Sequence, residues 1–105
     1  MIQETISSNN APVAVGPYSP AVRAGDFIYI SGQLPIDPIT GQLVSDDIRI
    51  QTEQVLKNIE ALLAEAGLNM SYVLKTTVFV KNMEEFAAMN EVYSRFFQKP
   101  FPARS

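Results

Sequence analysis

The sequence predicts an α+β domain in which two helices cover one face of a β-sheet. Three observations carry this. Residues 48–66 and 83–97 repeat apolar side chains at helical spacing. The stretches "FIYIS" and "VLKTTVFVK" are rich in β-branched and aromatic residues and are apolar on both alternating faces. The order strand, strand, helix, strand, helix supplies two helices, enough to cover one sheet face and not two. The uncovered face then calls for a partner, and a second copy of the chain is the simplest one.

Each element has a local reason. "QETIS" reads as a short first strand. "APVAVGPYSPAV" is a stiff loop, because Pro12, Pro17 and Pro20 fix their own φ and push each preceding residue toward extended geometry. "AVRAGDFIYISGQ" reads as a hairpin turning at Ala24-Gly25-Asp26. Its second strand places Phe27 and Tyr29 on one face and Ile28 and Ile30 on the other, the pattern of a strand buried on both sides. "LPIDPITGQLVSDD" is loop with a Pro-Ile-Thr-Gly turn.

A long helix is expected to start near Asp46 or Asp47, where acidic side chains suit the positive end of the dipole. Ile48, Val55, Ile59, Leu62, Leu63 and Ala66 form its stripe, and Gly67 is its terminator. In the strand "VLKTTVFVK", Thr76, Val78 and Val80 oppose Thr77 and Phe79. A second helix is expected from Asn82, with Glu85 as its capping partner. Its inner stripe is Met83, Phe86, Tyr93 and Phe97, and Pro100 and Pro102 stop it. "FPARS" begins a further extended segment.

A chain of 105 residues suits one domain, 1–105, and 47% hydrophobic against 18% charged residues is a globular balance. Cysteine, histidine and tryptophan are absent, which excludes disulfides, thiolate nucleophiles, Cys/His zinc sites and a Ser-His-Asp triad. The formal charge of −3 and the lack of any Lys/Arg run argue against a nucleic-acid partner. The polar N-terminus carries no signal-peptide pattern, and no apolar run approaches the ~20 residues of a membrane span. A soluble, cytoplasmic protein without membrane association is expected.

Five residues stand out. Asn90 lies on the second helix's apolar stripe, in register with Phe86 and Tyr93. On pattern alone it reads as a satisfied buried amide before it reads as a pocket wall. Tyr18 sits in the proline-braced loop, where an aromatic ordinarily packs beneath the loop but could hold a hydroxyl in a fixed place. Ser31 and Gly32 end a strand; a serine there is commonplace, and Gly32 marks a bulge or a close ligand approach. Arg104, by default a solvated terminal charge, follows Pro102, and arginine is suited to gripping a carboxylate in bidentate fashion.

The segments "GPYSPAV", "FIYISGQLPIDPITGQLV", "KTTVFVKNMEEFAAMNEVYSRFF" and "FPARS" together resemble the reactive intermediate deaminase family, also called YjgF or Rid. The likeness runs along nearly the whole chain. It implies a chorismate-mutase-like mixed sheet with two helices on one face, and homotrimers with sites between subunits. It also implies hydrolysis of 2-imino or 2-enamino acids, such as 2-iminobutanoate and 2-iminopropanoate, to 2-oxo acids and ammonia, without cofactor or metal. Residue by residue, Arg104 of "PARS" matches the carboxylate-binding arginine and Tyr18 of "GPYS" the site tyrosine. Ser31 and Gly32 of "SGQ" and Asn90 of "FAAMN" match substrate-binding positions, which reverses the ordinary reading of Asn90. Family members continue past "PARS" into further strand structure, with a residue at the site just after it and a later glutamate that orients water. The resemblance therefore implies that the C-terminal strand region is missing here and that a sheet edge is open. A small-carboxylate sensor without turnover is the alternative, and a ribonuclease or translation inhibitor ranks last.

Overall fold

Asp47 starts the long helix. In the computed structural model, which describes residues 2–105, its backbone is extended and its carboxylate accepts hydrogen bonds from the Arg49 and Ile50 amides. Those are donors that the first helical turn leaves without partners. Helix α1 spans Ile48–Glu65 and ends in a Schellman motif: the Leu68 N–H donates to the Leu63 carbonyl, and the Gly67 N–H to Ala64. Gly67 takes φ +77°, a left-handed value that favours glycine.

Leu62 and Leu63 of the expected stripe are buried, but Ile48, Val55, Ile59 and Ala66 are only half-buried. The rest of the buried face is Thr52, Leu56 and Asn58. Two of these are polar, which is why an apolar count missed them. Each finds a partner: Thr52 Oγ1 donates to the Ile48 carbonyl, and Asn58 Nδ2 donates to the Leu34 and Ile36 carbonyls.

The second helix departs from expectation at both ends. Asn82 and Glu85 meet through their side chains at 3.3 Å, but the Asn82 side chain caps no backbone amide. Met83–Glu85 instead form one 3₁₀ turn, and α2 spans Phe86–Ser94. The helix stops well before Pro100, so the prolines do not end it. Its buried residues are Met89, Val92 and Tyr93, with Phe97 buried beyond its end. Met83, assigned to the inner stripe, is 72% exposed, because the 3₁₀ turn rotates it away from the α2 face.

The strands form two ladders. β1 (Gln3–Ile6), β2 (Ala21–Ala24) and β3 (Phe27–Ile30) are antiparallel in that order, with Ile6 opposite Ala21 and Ala21 opposite Ile30. Gly25-Asp26 closes the hairpin, and Gly25 at φ +62° supplies the left-handed residue the tight turn needs. β4 (Lys75–Thr76) pairs in parallel with β5 (Ala103–Arg104). The predicted long strand through Lys81 is thus only partly laddered: its pairing with the tail ends where the Val78 N–H donates to the Ser105 carbonyl.

Both ladders rest on one core of Leu56, Leu63, Met70, Met89, Tyr93 and Phe97, which Ile30, Val78 and Val80 also touch. This is the predicted arrangement, helices on one sheet face. The expectation that both faces of β3 are buried does not hold within one chain. Phe27, Tyr29 and Phe79 point away from the helices and are 55%, 63% and 93% exposed. A bridge from Arg49 to Glu91 (2.6 Å) ties the start of α1 to α2. Among the described residues no helix is long and apolar enough to cross a membrane.

Candidate functional site

The geometry around Arg104 follows from strand register. In a parallel ladder, paired residues point to the same face, and Thr76 pairs with Arg104. Thr76 faces α2, where its hydroxyl meets the Tyr93 hydroxyl at 2.7 Å. Arg104 therefore also reaches toward α2, and its Nη1 donates to Asn90 Oδ1 at 2.7 Å. Beneath it lie two rings: the guanidinium carbon is 4.8 Å from the Tyr93 centroid and 5.6 Å from that of Phe86. Cation–π attraction and one charge-assisted bond thus orient a side chain that remains exposed and forms no ion pair among the described residues. Most of its fork makes no hydrogen bond among the described residues.

Asn90 is half-buried, and its partner is this arginine rather than a neighbouring backbone. Glu91, next to it in sequence, turns the other way. Arg49 first, by hydrogen bond and charge, and then Arg95 hold its carboxyl below the ordinary value. It leaves the guanidinium of Arg104 uncompensated.

Tyr18, Ser31 and Gly32 gather elsewhere, where the proline loop crosses the end of β3. The Ser31 N–H donates to the Pro20 carbonyl and its hydroxyl to the Ser19 carbonyl at 2.6 Å, so β3 is stapled to the loop. Tyr18 does not pack under the loop: it is 50% exposed. Its hydroxyl accepts a hydrogen bond from the Val15 N–H at 3.4 Å, which leaves its own proton free to donate. Tyr18 and Ser31 line one open hollow, with Ser19 and Tyr29. Tyr18 and Gly32 line a second, with Val13, Val15 and Leu34. Arg104 and Asn90 line neither.

The predicted residues thus fall into two candidate half-sites, Arg104 with Asn90 on the β4–β5 ladder and α2, and Tyr18, Ser31 and Gly32 at the end of β3. Sequence reasoning missed Tyr93 and Phe86 as the seat of Arg104. Their spacing from Asn90, three residues after and four before, was a signal, but it reads equally as core. Among the described residues no group of three or more His, Cys, Asp or Glu is poised to hold a metal ion.

Residues 8–105 match the family described as Endoribonuclease L-PSP. A RutC family protein of Pyrococcus horikoshii is 52% identical over 98% of this chain and 82% of its own length. The chloroplastic Reactive Intermediate Deaminase A of Arabidopsis thaliana is 43% identical over 98% of this chain and 55% of its own. A conserved Rid family protein of Yersinia pestis superposes with a TM-score of 0.96 at 46% identity, covering 99% of this chain and 83% of that one. TdcF of E. coli, solved with bound serine, superposes at 0.91 with 38% identity, covering 97% and 82%. On sequence and fold alike, the chain belongs to the Endoribonuclease L-PSP family, the YjgF/Rid group.

Proposed function

We propose that the chain is an imine deaminase, which hydrolyses small 2-imino or 2-enamino acids to 2-oxo acids and ammonia. The observation that carries this is the seated Arg104: a guanidinium held by Asn90 and two rings, with most of its donors still open. Such a fork grips the carboxylate common to all these substrates. The carbon of a protonated imine is already electrophilic, so no covalent catalyst is required. Water adds to C2, one of its protons passes to a base, and the carbinolamine forms. Protonation of its nitrogen then lets the C–N bond break while the hydroxyl gives up its proton to the base, releasing ammonia and leaving the 2-oxo acid. The Tyr18 hydroxyl is suited to relay a proton, and Ser31 and Gly32 to line the site.

A complete site in this reading needs both half-sites at one substrate, and a homotrimer with inter-subunit clefts would provide that. The apolar outer face bearing Phe27, Tyr29 and Phe79 supports self-association. The Arabidopsis relative's name supports the activity, and bound serine in the E. coli neighbour supports a small carboxylate ligand.

That serine also favours a second reading, a small-acid binding module without turnover. Endoribonuclease activity, named in the family's description, is disfavoured by the net charge of −3 and the absence of histidine. The test is to generate 2-iminobutanoate in place with a dehydratase and follow 2-oxobutanoate release. The expected result is faster release with the protein than without it. An unchanged rate overturns the deaminase reading, and calorimetric binding of 2-oxobutanoate then selects the module.

A further inference from the structure

Among the described residues Asn58 is the one polar side chain with no exposed surface, and the chemistry above makes no use of it. All its hydrogen-bonding groups are committed. Nδ2 donates to the Ile36 carbonyl at 3.0 Å and to the Leu34 carbonyl at 3.3 Å, and Oδ1 accepts from Gln54 Nε2 at 2.8 Å. A leucine would fill similar space at lower risk, since a buried amide is tolerated only when fully paired. Its bonds reach more than twenty residues along the chain, to the loop that follows β3.

That loop is a small rigid hairpin. The Asp37 N–H donates to the Gln42 carbonyl, Val44 N–H to Pro35, and Gly41 N–H to Asp37, while Asp37 Oδ1 accepts from the Ile39 N–H at 2.7 Å. These bonds hold it together but not to the body. Gln51 pins its far end at the Ser45 carbonyl, and Asn58 pins its near arm at Leu34 and Ile36. Leu34 and Ile36, whose carbonyls Asn58 holds, form one wall of a cleft of about 160 Å³. Val13 and Val15 of the proline loop form the other, and Tyr18 and Gly32 lie along it.

We propose that Asn58 is a positioning residue that sets the width of this cleft, and that the cleft takes the short aliphatic side chain of the substrate beside Tyr18. This rests on the deaminase reading and deepens it. The carboxylate grip is blind to what the substrate carries at C3 and beyond, so selectivity must come from an apolar wall, and this wall is held by a core amide rather than by its own packing.

Amide hydrogen exchange and a ¹⁵N NMR titration with 2-oxobutanoate test it in wild type, Asn58→Leu and Asn58→Asp. The aspartate keeps the shape but can offer at most one donor, when protonated, in place of two. In both variants the amides of Asp37, Gly41 and Val44 are expected to exchange about tenfold faster or more, with α1 and the β1–β3 ladder unchanged. Affinity for 2-oxobutanoate is expected to fall about tenfold, with pyruvate, one methylene shorter, affected less. In the deaminase assay KM should rise while kcat holds. Equal loss of protection throughout the molecule, or a freed hairpin with unchanged affinity, overturns the proposal. If neither variant folds, wild-type exchange decides. Opening of the hairpin separately from α1 supports a held wall, and opening only with global unfolding refutes it. If the wild type neither turns over 2-iminobutanoate nor binds 2-oxobutanoate, the functional reading has failed and the exchange data judge the clip alone. If it turns over without measurable product binding, the KM comparison decides the cleft.

Discussion

Arg104 shows how much a single exposed side chain depends on its surroundings. Its backbone is fixed by the parallel ladder, with the Ala103 N–H donating to the Leu74 carbonyl and the Ser105 N–H to Thr76. Its head is fixed by Asn90, Tyr93 and Phe86. Lysine cannot reproduce the fork or the stacking. Arg104→Lys is therefore expected to lower kcat/KM about a hundredfold, the scale of one or two hydrogen bonds to a charged partner at roughly 1.5–3 kcal/mol each. Tyr93→Phe removes only the Thr76 bond and keeps the ring, so it should cost much less than Tyr93→Leu. Equal losses in the two variants would show that the ring does not seat the arginine. Thermal melts of each variant separate this from simple destabilisation.

At the scale of elements, α1 and α2 are joined by apolar packing and by the Arg49–Glu91 bridge, while Arg95, at the end of α2 itself, holds the same carboxylate at 2.9 Å. These groups are about half exposed, so the bridge is a small term. Its pH dependence has a definite sign. The Glu91 carboxyl is lowered below its ordinary value, chiefly by Arg49. A depressed carboxylate stabilises the fold at pH above its unfolded value, and that contribution disappears as pH falls through the folded one. The melting temperature of Glu91→Gln should lie slightly below wild type at neutral pH, and the gap should close in acid beneath the carboxylate range. Added salt should narrow it too. A gap that widens on acidification would contradict the assignment.

Sequence pattern resolved these elements unevenly. Asp47 and Gly67 bound α1 where capping chemistry places them, because caps are local. The end of α2 was not legible, since helix continuation beyond Ser94 depends on packing rather than on a nearby proline. Asn58 and Thr52 were missed for the same kind of reason. A polar residue joins a buried face only when a distant backbone satisfies it, and the Leu34 and Ile36 carbonyls are distant in sequence.

At the scale of the molecule, the proposed self-association rests on the outer sheet face. Phe27, Tyr29 and Phe79 leave an apolar surface that a single chain does not cover. Light scattering across a dilution series is expected to give three times the 11.6 kDa chain mass. Phe79→Glu should shift the population toward monomer and lower deaminase activity together with it. A stable wild-type monomer with full activity would remove the inter-subunit site. By itself the sequence determined the α+β class, the two helices on one face, the hairpin at Gly25-Asp26 and the identity of the candidate residues, since periodicity, turn chemistry and motif are written locally. Only the tertiary structure decided that Arg104 lies with Asn90 and that Tyr18, Ser31 and Gly32 gather apart from them. Whether two residues meet is a matter of ladder register and packing, and these link positions that no local pattern connects.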